Sequence, residues 1–221
     1  MGTTDPDMPT RGAVRGWLYD RAITGLTAGW YRAVFDRLPD GARILDVGIG
    51  TGTALARGGD RVRAKDLHVT GLDIDRDYLR RCVEEMTRAG LSGRVTPLLE
   101  SVYDHQGGPY DAAYFSASLM LLPDPVAALR HVAGLLEPDG QLFFTQTFHH
   151  RRSPLREKLK PLVRHVTTID FGTVTYEDDF RRVLADADLE VLELVTLGTT
   201  RASSYRLAVA VPDGDDRSAA A

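Results

Sequence analysis

An apolar segment, Ile44-Leu45-Asp46-Val47, runs straight into Gly48-Ile49-Gly50-Thr51-Gly52, and this junction limits the possible folds more than any other stretch. Apolar residues that stop at alternating glycines predict a buried strand followed by a sharp loop. Glycine reaches backbone conformations closed to other residues and lets a ligand approach the main chain without meeting a Cβ. Some twenty positions later Val69-Thr70-Gly71-Leu72-Asp73-Ile74-Asp75 repeats the pattern, an apolar run closing on an acid. Strand, helix, strand in this order predicts parallel strands with helices on both faces. In such sheets ligands bind beyond the carboxyl ends of the strands, where the glycine loop lies.

The same alternation continues along the chain. Val14, Leu18, Leu26, Trp30, Val34 and Leu38 recur at helical spacing, so about 12–38 predicts one or two amphipathic helices, broken near Gly25 or Gly29. Strands are expected at 42–47, 69–74, 95–99, 110–116 and 140–148, with two closing strands at 190–197 and 204–211. Helices are expected at 53–67, irregular, at 75–89, ended by Gly90, at 125–136 behind the Asp124-Pro125 cap, and at 176–187 behind Thr175. The tail from Pro212 is small and polar and is expected to be disordered. A length of 221 residues, 43% hydrophobic and 26% charged, fits one domain with a cap and suggests neither a disordered nor a membrane chain.

The net charge of −4 argues against nucleic acid as a partner, because phosphate contacts need clustered Lys and Arg. Charge is uneven, however: His149 to His165 holds six Lys and Arg against Glu157, a local +5 that leaves the remainder at −9. That segment is either a solvated face or a dock for an anionic group. Cys82, the only cysteine, cannot form an internal disulfide and shares a helical face with Leu79, Val83 and Met86, so a core residue is expected, with a catalytic thiol as the alternative. No apolar run is long enough to span a bilayer and Met1 to Arg11 is polar, so the expectation is a cytoplasmic enzyme without a membrane partner. No Cys, His and acid cluster has metal-ligand spacing, so no metal is expected.

Which ligand the loop takes follows from its details. A dinucleotide fingerprint needs a third glycine three positions after Gly50, where Thr53 stands. Asp46 directly before the loop would repel a phosphate and attract a cationic amino group. S-adenosylmethionine has such a group and no phosphate. Asp73 is placed to accept hydrogen bonds from both ribose hydroxyls, and Asp75 is left as the cap of the next helix.

With these residues the chain resembles the class I S-adenosylmethionine-dependent methyltransferases, whose first motif is an acid before Gly-x-Gly-x-Gly and whose second is an acid closing strand two. The resemblance covers roughly Gly41 to Phe148. It implies a doubly wound α/β fold with a seven-stranded sheet, mostly parallel with an antiparallel last strand. It also implies a cofactor domain at 41–211, a helical cap at 1–40, a substrate-side insertion at 148–175 and a tail at 212–221. Gly48, Gly50 and Gly52 would wrap the methionine and ribose portions, with Asp46 helping to hold the amino group. Ile74 would lie against the adenine, and Ser101 with the Val102 backbone would meet the adenine amine, in place of the commoner Asp. The carbonyl of Ser116 would receive the amino group after strand four.

The acceptor side is less constrained. His149 and His150 follow strand five and have the right intrinsic proton affinity for a base, although a sulfonium needs little help and either histidine can equally be structural. Tyr19, Trp30 or Tyr31, and Tyr176 offer aromatic faces to a sulfonium, with core packing as the alternative for each; Tyr19 and Tyr176 are preferred. Three functions stay open: methyl transfer to a small metabolite, cyclisation of the cofactor to azetidine-2-carboxylate and methylthioadenosine, and binding without catalysis. Ser116-Ala117-Ser118-Leu119 stands where Asn-Pro-Pro-Tyr would mark amide or nucleobase methylation. Monomer and homodimer both remain possible.

Overall fold

Alternate residues of the central strands point to opposite sides of one sheet, and both sides are apolar. Ile44, Tyr114 and Phe143 enter one core; Leu45, Phe115 and Phe144 enter the other. A sheet apolar on both faces must be covered on both, which is the doubly wound arrangement. The computed structural model, which describes residues 27–149 and 175–213, has this form. In chain order the elements are α1 (27–35), β1 (Arg43–Val47), α2 (Thr53–Arg57), α3 (Gly59–Ala64), β2 (His68–Asp73), α4 (Arg76–Arg88), β3 (Val95–Leu99) and β4 (Tyr110–Ser116). They continue with α5 (Pro125–Ala133), β5 (Leu136–His149), α6 (Glu177–Asp186), β6 (Leu189–Thr199) and β7 (Ser203–Pro212). Strand order is β3-β2-β1-β4-β5-β7-β6, parallel through β5, with β7 antiparallel to both of its neighbours. A short connection joins β6 to β7, so the two can pair only as an antiparallel hairpin.

Helices α1 to α4 cover the first face through Tyr31, Val34, Phe35, Leu55, Val62, Leu79, Cys82 and Met86. On the second face α5 and α6 contribute Ala128, Leu129, Val132, Phe180 and Leu184. Each fully buried Leu, Phe or Met side chain stabilises the fold by about 1.5–3 kcal/mol. Helix α1 runs unbroken through Gly29, so the break expected there is absent; Gly25 lies outside the described residues. The irregular helix expected at 53–67 is two short helices meeting at Gly58.

Helix α4 follows its sequence closely. Oδ1 of Asp75 accepts from the backbone N–H groups of Asp77 and Tyr78 at 2.8 and 3.0 Å, satisfying donors that the helix start leaves open. Gly90, at φ +67°, ends it. Leu79, Cys82 and Met86 face inward, whereas Val83 is 52% exposed, which corrects its assignment to that face: one residue is a 100° turn, too far round from Cys82. Asp124 caps α5 as expected, accepting from Ala127 N–H at 3.0 Å.

Helix α5 stops at Ala133, and β5 starts at Leu136 rather than 140, its register shifting between the Tyr110–Leu136 and Ala112–Gln141 pairs. The N-cap of α6 is Tyr176, not Thr175, because Thr175 is held in a parallel bridge to Phe148 at the end of β5. Pro212 is the last residue of β7, and Asp213 N–H donates to Asp188 O at 2.8 Å. The rest of the tail, 214–221, lies outside the described residues. Among the described residues no helix is long and apolar enough to cross a membrane.

Candidate active site at the carboxyl ends of the strands

The loop after β1 is built by spending its own donors. Gly48 and Ile49 N–H groups both donate to Leu72 O, at 2.8 and 3.0 Å, Gly52 N–H donates to Ile49 O at 3.2 Å, and Gly50 N–H donates to Oδ2 of Asp73 at 2.9 Å. A phosphate loop needs such N–H groups free to meet the anion. Here four are committed within the protein, and no Lys or Arg stands between Asp46 and Thr53. The sequence expectation of a phosphate-free ligand therefore has a second basis in the backbone.

Gly48, Gly50 and Gly52 all have left-handed φ values, +81°, +59° and +67°. They differ in what a side chain would meet. A Cβ on Gly48 would lie 2.8 Å from Ser118 Cβ, and one on Gly52 would lie 2.6 Å from Cys82 Sγ, whereas one on Gly50 would meet nothing within 4 Å. Two of the glycines thus serve turn geometry and interior packing, and Gly50 leaves an open surface above the loop. Gly71, in the middle of β2, makes the hollow that Ile49 fills; a Cβ there would come within 2.3 Å of its Cδ1.

Asp73 closes β2, as expected. Oδ2 receives Gly50 N–H and Oδ1 receives Asp75 N–H, both at 2.9 Å. Each carboxylate oxygen has two acceptor positions, so each retains one for a ribose hydroxyl. Ile74 follows, 79% exposed, an apolar side chain at the sheet rim that a flat aromatic ligand would cover.

Asp46 is only 1% exposed. Its Oδ2 accepts from the hydroxyl of Tyr31 at 2.7 Å, and its Oδ1 is buried without a hydrogen-bond partner. Burial pushes this carboxyl up to about 7, the Tyr31 hydrogen bond pulling down against it and the charge of Asp73 adding to the rise. Tyr31 itself is buried and packs edge-on against Tyr114, ring centroids 4.9 Å apart. Tyr114 hydroxyl is 2.7 Å from Thr145 Oγ1. Desolvation raises both phenols well above their ordinary range. Cys82 lies deep on the same face, its thiol pushed up to about 12 by burial and by the charges of Asp46 and Asp73, a core residue and not a nucleophile.

After β4, Ser116 is followed by Ala117 at φ +55°, an unusual conformation for a residue with a Cβ, held by its N–H donating to Thr145 O at 2.8 Å. Ser118 turns under the loop and donates to the carbonyl of Val47. Ser101 sits just past β3, its Oγ accepting from Tyr103 N–H at 3.3 Å, and the Val102 side chain is buried in the second core, leaving its backbone for any adenine contact. Beside them is a chain the sequence did not reveal: buried His105 reaches Glu100 Oε2 through Nδ1 and Tyr110 hydroxyl through Nε2, both at 2.8 Å. Tyr31 on α1 and the loop residues His105 and Ser118 show no spacing that would announce these partners.

At the end of β5, His149 is half-buried and its N–H donates to Thr175 O at 3.0 Å, while Tyr176 is buried beside it at the start of α6. Trp30 is also buried, its ring 6.0 Å from that of Tyr205. The structure thus gathers Asp46, Gly48, Gly50, Gly52, Asp73, Ile74, Ser101, Val102 and Ser116 at one rim of the sheet, with His149 and Tyr176 at the end of β5. Tyr19, His150 and the basic side chains between Arg151 and Arg164 lie outside the described residues. Among the described residues no group of three His, Cys, Asp or Glu is arranged to hold a metal ion.

The donor set fits S-adenosylmethionine: an unpartnered buried carboxylate oxygen for a cationic amine, an open glycine surface, and an acid with spare acceptor positions for a sugar. Comparison with known proteins agrees. A methyltransferase domain family matches residues 19–194. The chain is 27% identical over 157 residues to a phosphatidylethanolamine N-methyltransferase of Cereibacter sphaeroides, covering 69% of this chain and 72% of that protein. It is 26% identical over 173 residues to the O-methyltransferase rstn1 of Aspergillus nomiae, covering 76% and 74%. Its fold overlays that of a geranyl diphosphate methyltransferase solved with S-adenosylmethionine, with a TM-score of 0.68, 14% identity, and coverage of 94% of this chain and 92% of that one. The chain belongs to the class I S-adenosylmethionine-dependent methyltransferases.

Proposed function

We propose that this enzyme transfers a methyl group to a nucleophilic atom of a small-molecule acceptor. Bound S-adenosylmethionine supplies a methyl group already activated by its sulfonium. The protein's task is therefore mainly alignment and, where the acceptor needs it, removal of a proton. In this reading Asp46 and the Ser116 carbonyl take the ammonium, and the backbone around Gly50, turned by Gly48 and Gly52, bears on the methionine and ribose. Asp73 grips both ribose hydroxyls, Ile74 covers one face of the adenine, and Ser101 with the Val102 backbone meets its amine.

Tyr19 and Tyr176 would flank the sulfonium, a contact worth about 0.5–2 kcal/mol, and His149 would accept the acceptor's proton. The observation that carries this reading is the loop whose N–H groups are spent internally between two carboxylates: it suits a cationic nucleoside and disfavours a phosphate. The relatives differ in what they methylate, one named for an amine lipid headgroup and another for an oxygen, so the acceptor is sought among both classes.

The test is mass spectrometry after incubating the full chain with methyl-labelled cofactor and a panel of phenol, carboxylate and amine acceptors. S-adenosylhomocysteine with a labelled acceptor is the expected result. Methylthioadenosine formed from the cofactor alone would replace methyl transfer by cyclisation.

A further inference from the structure

Resting on the cofactor reading above, we infer that Tyr31 is a positioning residue for the cofactor: from α1 its hydroxyl holds one oxygen of Asp46 and leaves the other unpaired for the ammonium. The geometry is specific. Asp46 has one hydrogen bond, from Tyr31 at 2.7 Å, and one buried oxygen without a partner, two residues before the glycine loop. A buried acceptor left unpaired is unfavourable by about 1–3 kcal/mol, so a donor belongs there when the site is filled. An ammonium supplies it. Tyr31 is itself clamped by the edge-on contact with Tyr114 and by Phe35, at centroid distances of 4.9 and 5.6 Å, so its hydroxyl has little freedom to turn elsewhere.

The consequence is a proton linkage. Burial favours the protonated carboxyl of Asp46, and an arriving ammonium favours the carboxylate, so binding drives a proton off. Tyr31, by donating to the carboxylate, sets the pH at which this happens. The other titratable groups facing Asp46 are Asp73 from β2, Tyr114 from β4 and Cys82 from α4. Tyr114 and Cys82 are pushed upward and stay neutral near pH 7, and Asp73 is unchanged in the variants below.

The experiment is calorimetry of the full chain with S-adenosylhomocysteine, which keeps the ammonium and ribose, between pH 5.5 and 9 in buffers of different ionisation enthalpy. For wild type the association constant should rise with pH to about 7, with net proton release. In Tyr31→Phe the rise should move up by about one pH unit, roughly a fivefold weaker association at pH 7, with the curves converging in alkali. Asp46→Asn should lack the rise and keep only the ligand's own amino titration, which is common to all three. Tyr31→3-fluorotyrosine, a more acidic phenol and stronger donor in the same shape, should move the rise downward and guards against a Phe variant that fails to fold. Parallel curves, weakened equally at every pH or not displaced by either substitution, would overturn the assignment while leaving the cofactor reading intact. No association by wild type at any pH would overturn both.

Discussion

Asp46 and Asp73 end neighbouring parallel strands at one rim of the sheet, yet their surroundings are opposite. Asp46 lies on the face that α1 covers, buried, with a tyrosine on one oxygen and nothing on the other. Asp73 is half-buried, and each of its oxygens takes a backbone N–H, one from the glycine loop and one from the start of α4. The first carboxyl is held up to about 7 by desolvation and keeps one oxygen unsatisfied; the second already organises the backbone around it. An acid at a strand end is thus only an opportunity, and what covers the strand decides whether it binds charge, holds a loop, or both.

Removing Asp73 should have the largest effect. Asp73→Ala takes an acceptor from Gly50 and, in the proposed binding mode, from two ribose hydroxyls; bonds to a charged group are worth about 1.5–3 kcal/mol each, so cofactor affinity should fall by roughly 10²–10⁴ in calorimetry. A loss below tenfold would place the sugar elsewhere and break the contrast with Asp46.

The second effect is on stability. The folded Asp46 keeps a proton that the unfolded chain releases near 4, so its contribution is fully present in acid and is lost as pH rises to about 7. The full loss is at most about 4 kcal/mol. Glu177, lowered by its hydrogen bond from Arg181, and Glu193, lowered by that from Arg37, act in the opposite sense, losing their contribution in acid. Urea unfolding of the ligand-free chain at pH 5 and pH 8 should therefore show a smaller drop toward pH 8 in Asp46→Asn than in wild type. An equal drop would mean that Asp46 is solvated.

The smallest effect separates the glycines between the two acids. Gly52→Ala puts a Cβ 2.6 Å from Cys82 Sγ at a left-handed φ and should destabilise by about 2–4 kcal/mol. Gly50→Ala has the same backbone strain but open space, and should lose only about 1–2 kcal/mol of stability while weakening cofactor binding. Equal stability losses would show that Gly50 is packed like its neighbour.

Much of this site was legible because it depends on local pattern. The glycine loop, the acids at 46 and 73, the Asp75 and Asp124 caps and the Gly90 stop are all short-range signals with their own mechanisms. One error falls where a neighbour overrode the local signal. Thr175 has a capping side chain, but its bridge to Phe148 moves the helix start to Tyr176. Val83 is a different case: expected on the face of Cys82, it is turned outward by the helix's own step of about 100°.

By itself the sequence determined the strand and helix alternation, the apolar faces on both sides of the sheet, and the acid–glycine–acid pattern at the ends of β1 and β2. Periodicity and turn chemistry act over a few residues and survive without tertiary context. Only the folded chain decided that α1 brings Tyr31 onto Asp46, that two glycines face inward and one outward, and that His105 links Glu100 to Tyr110. These are contacts between positions that no spacing rule connects, and their energies depend on burial that exists only once both faces of the sheet are covered.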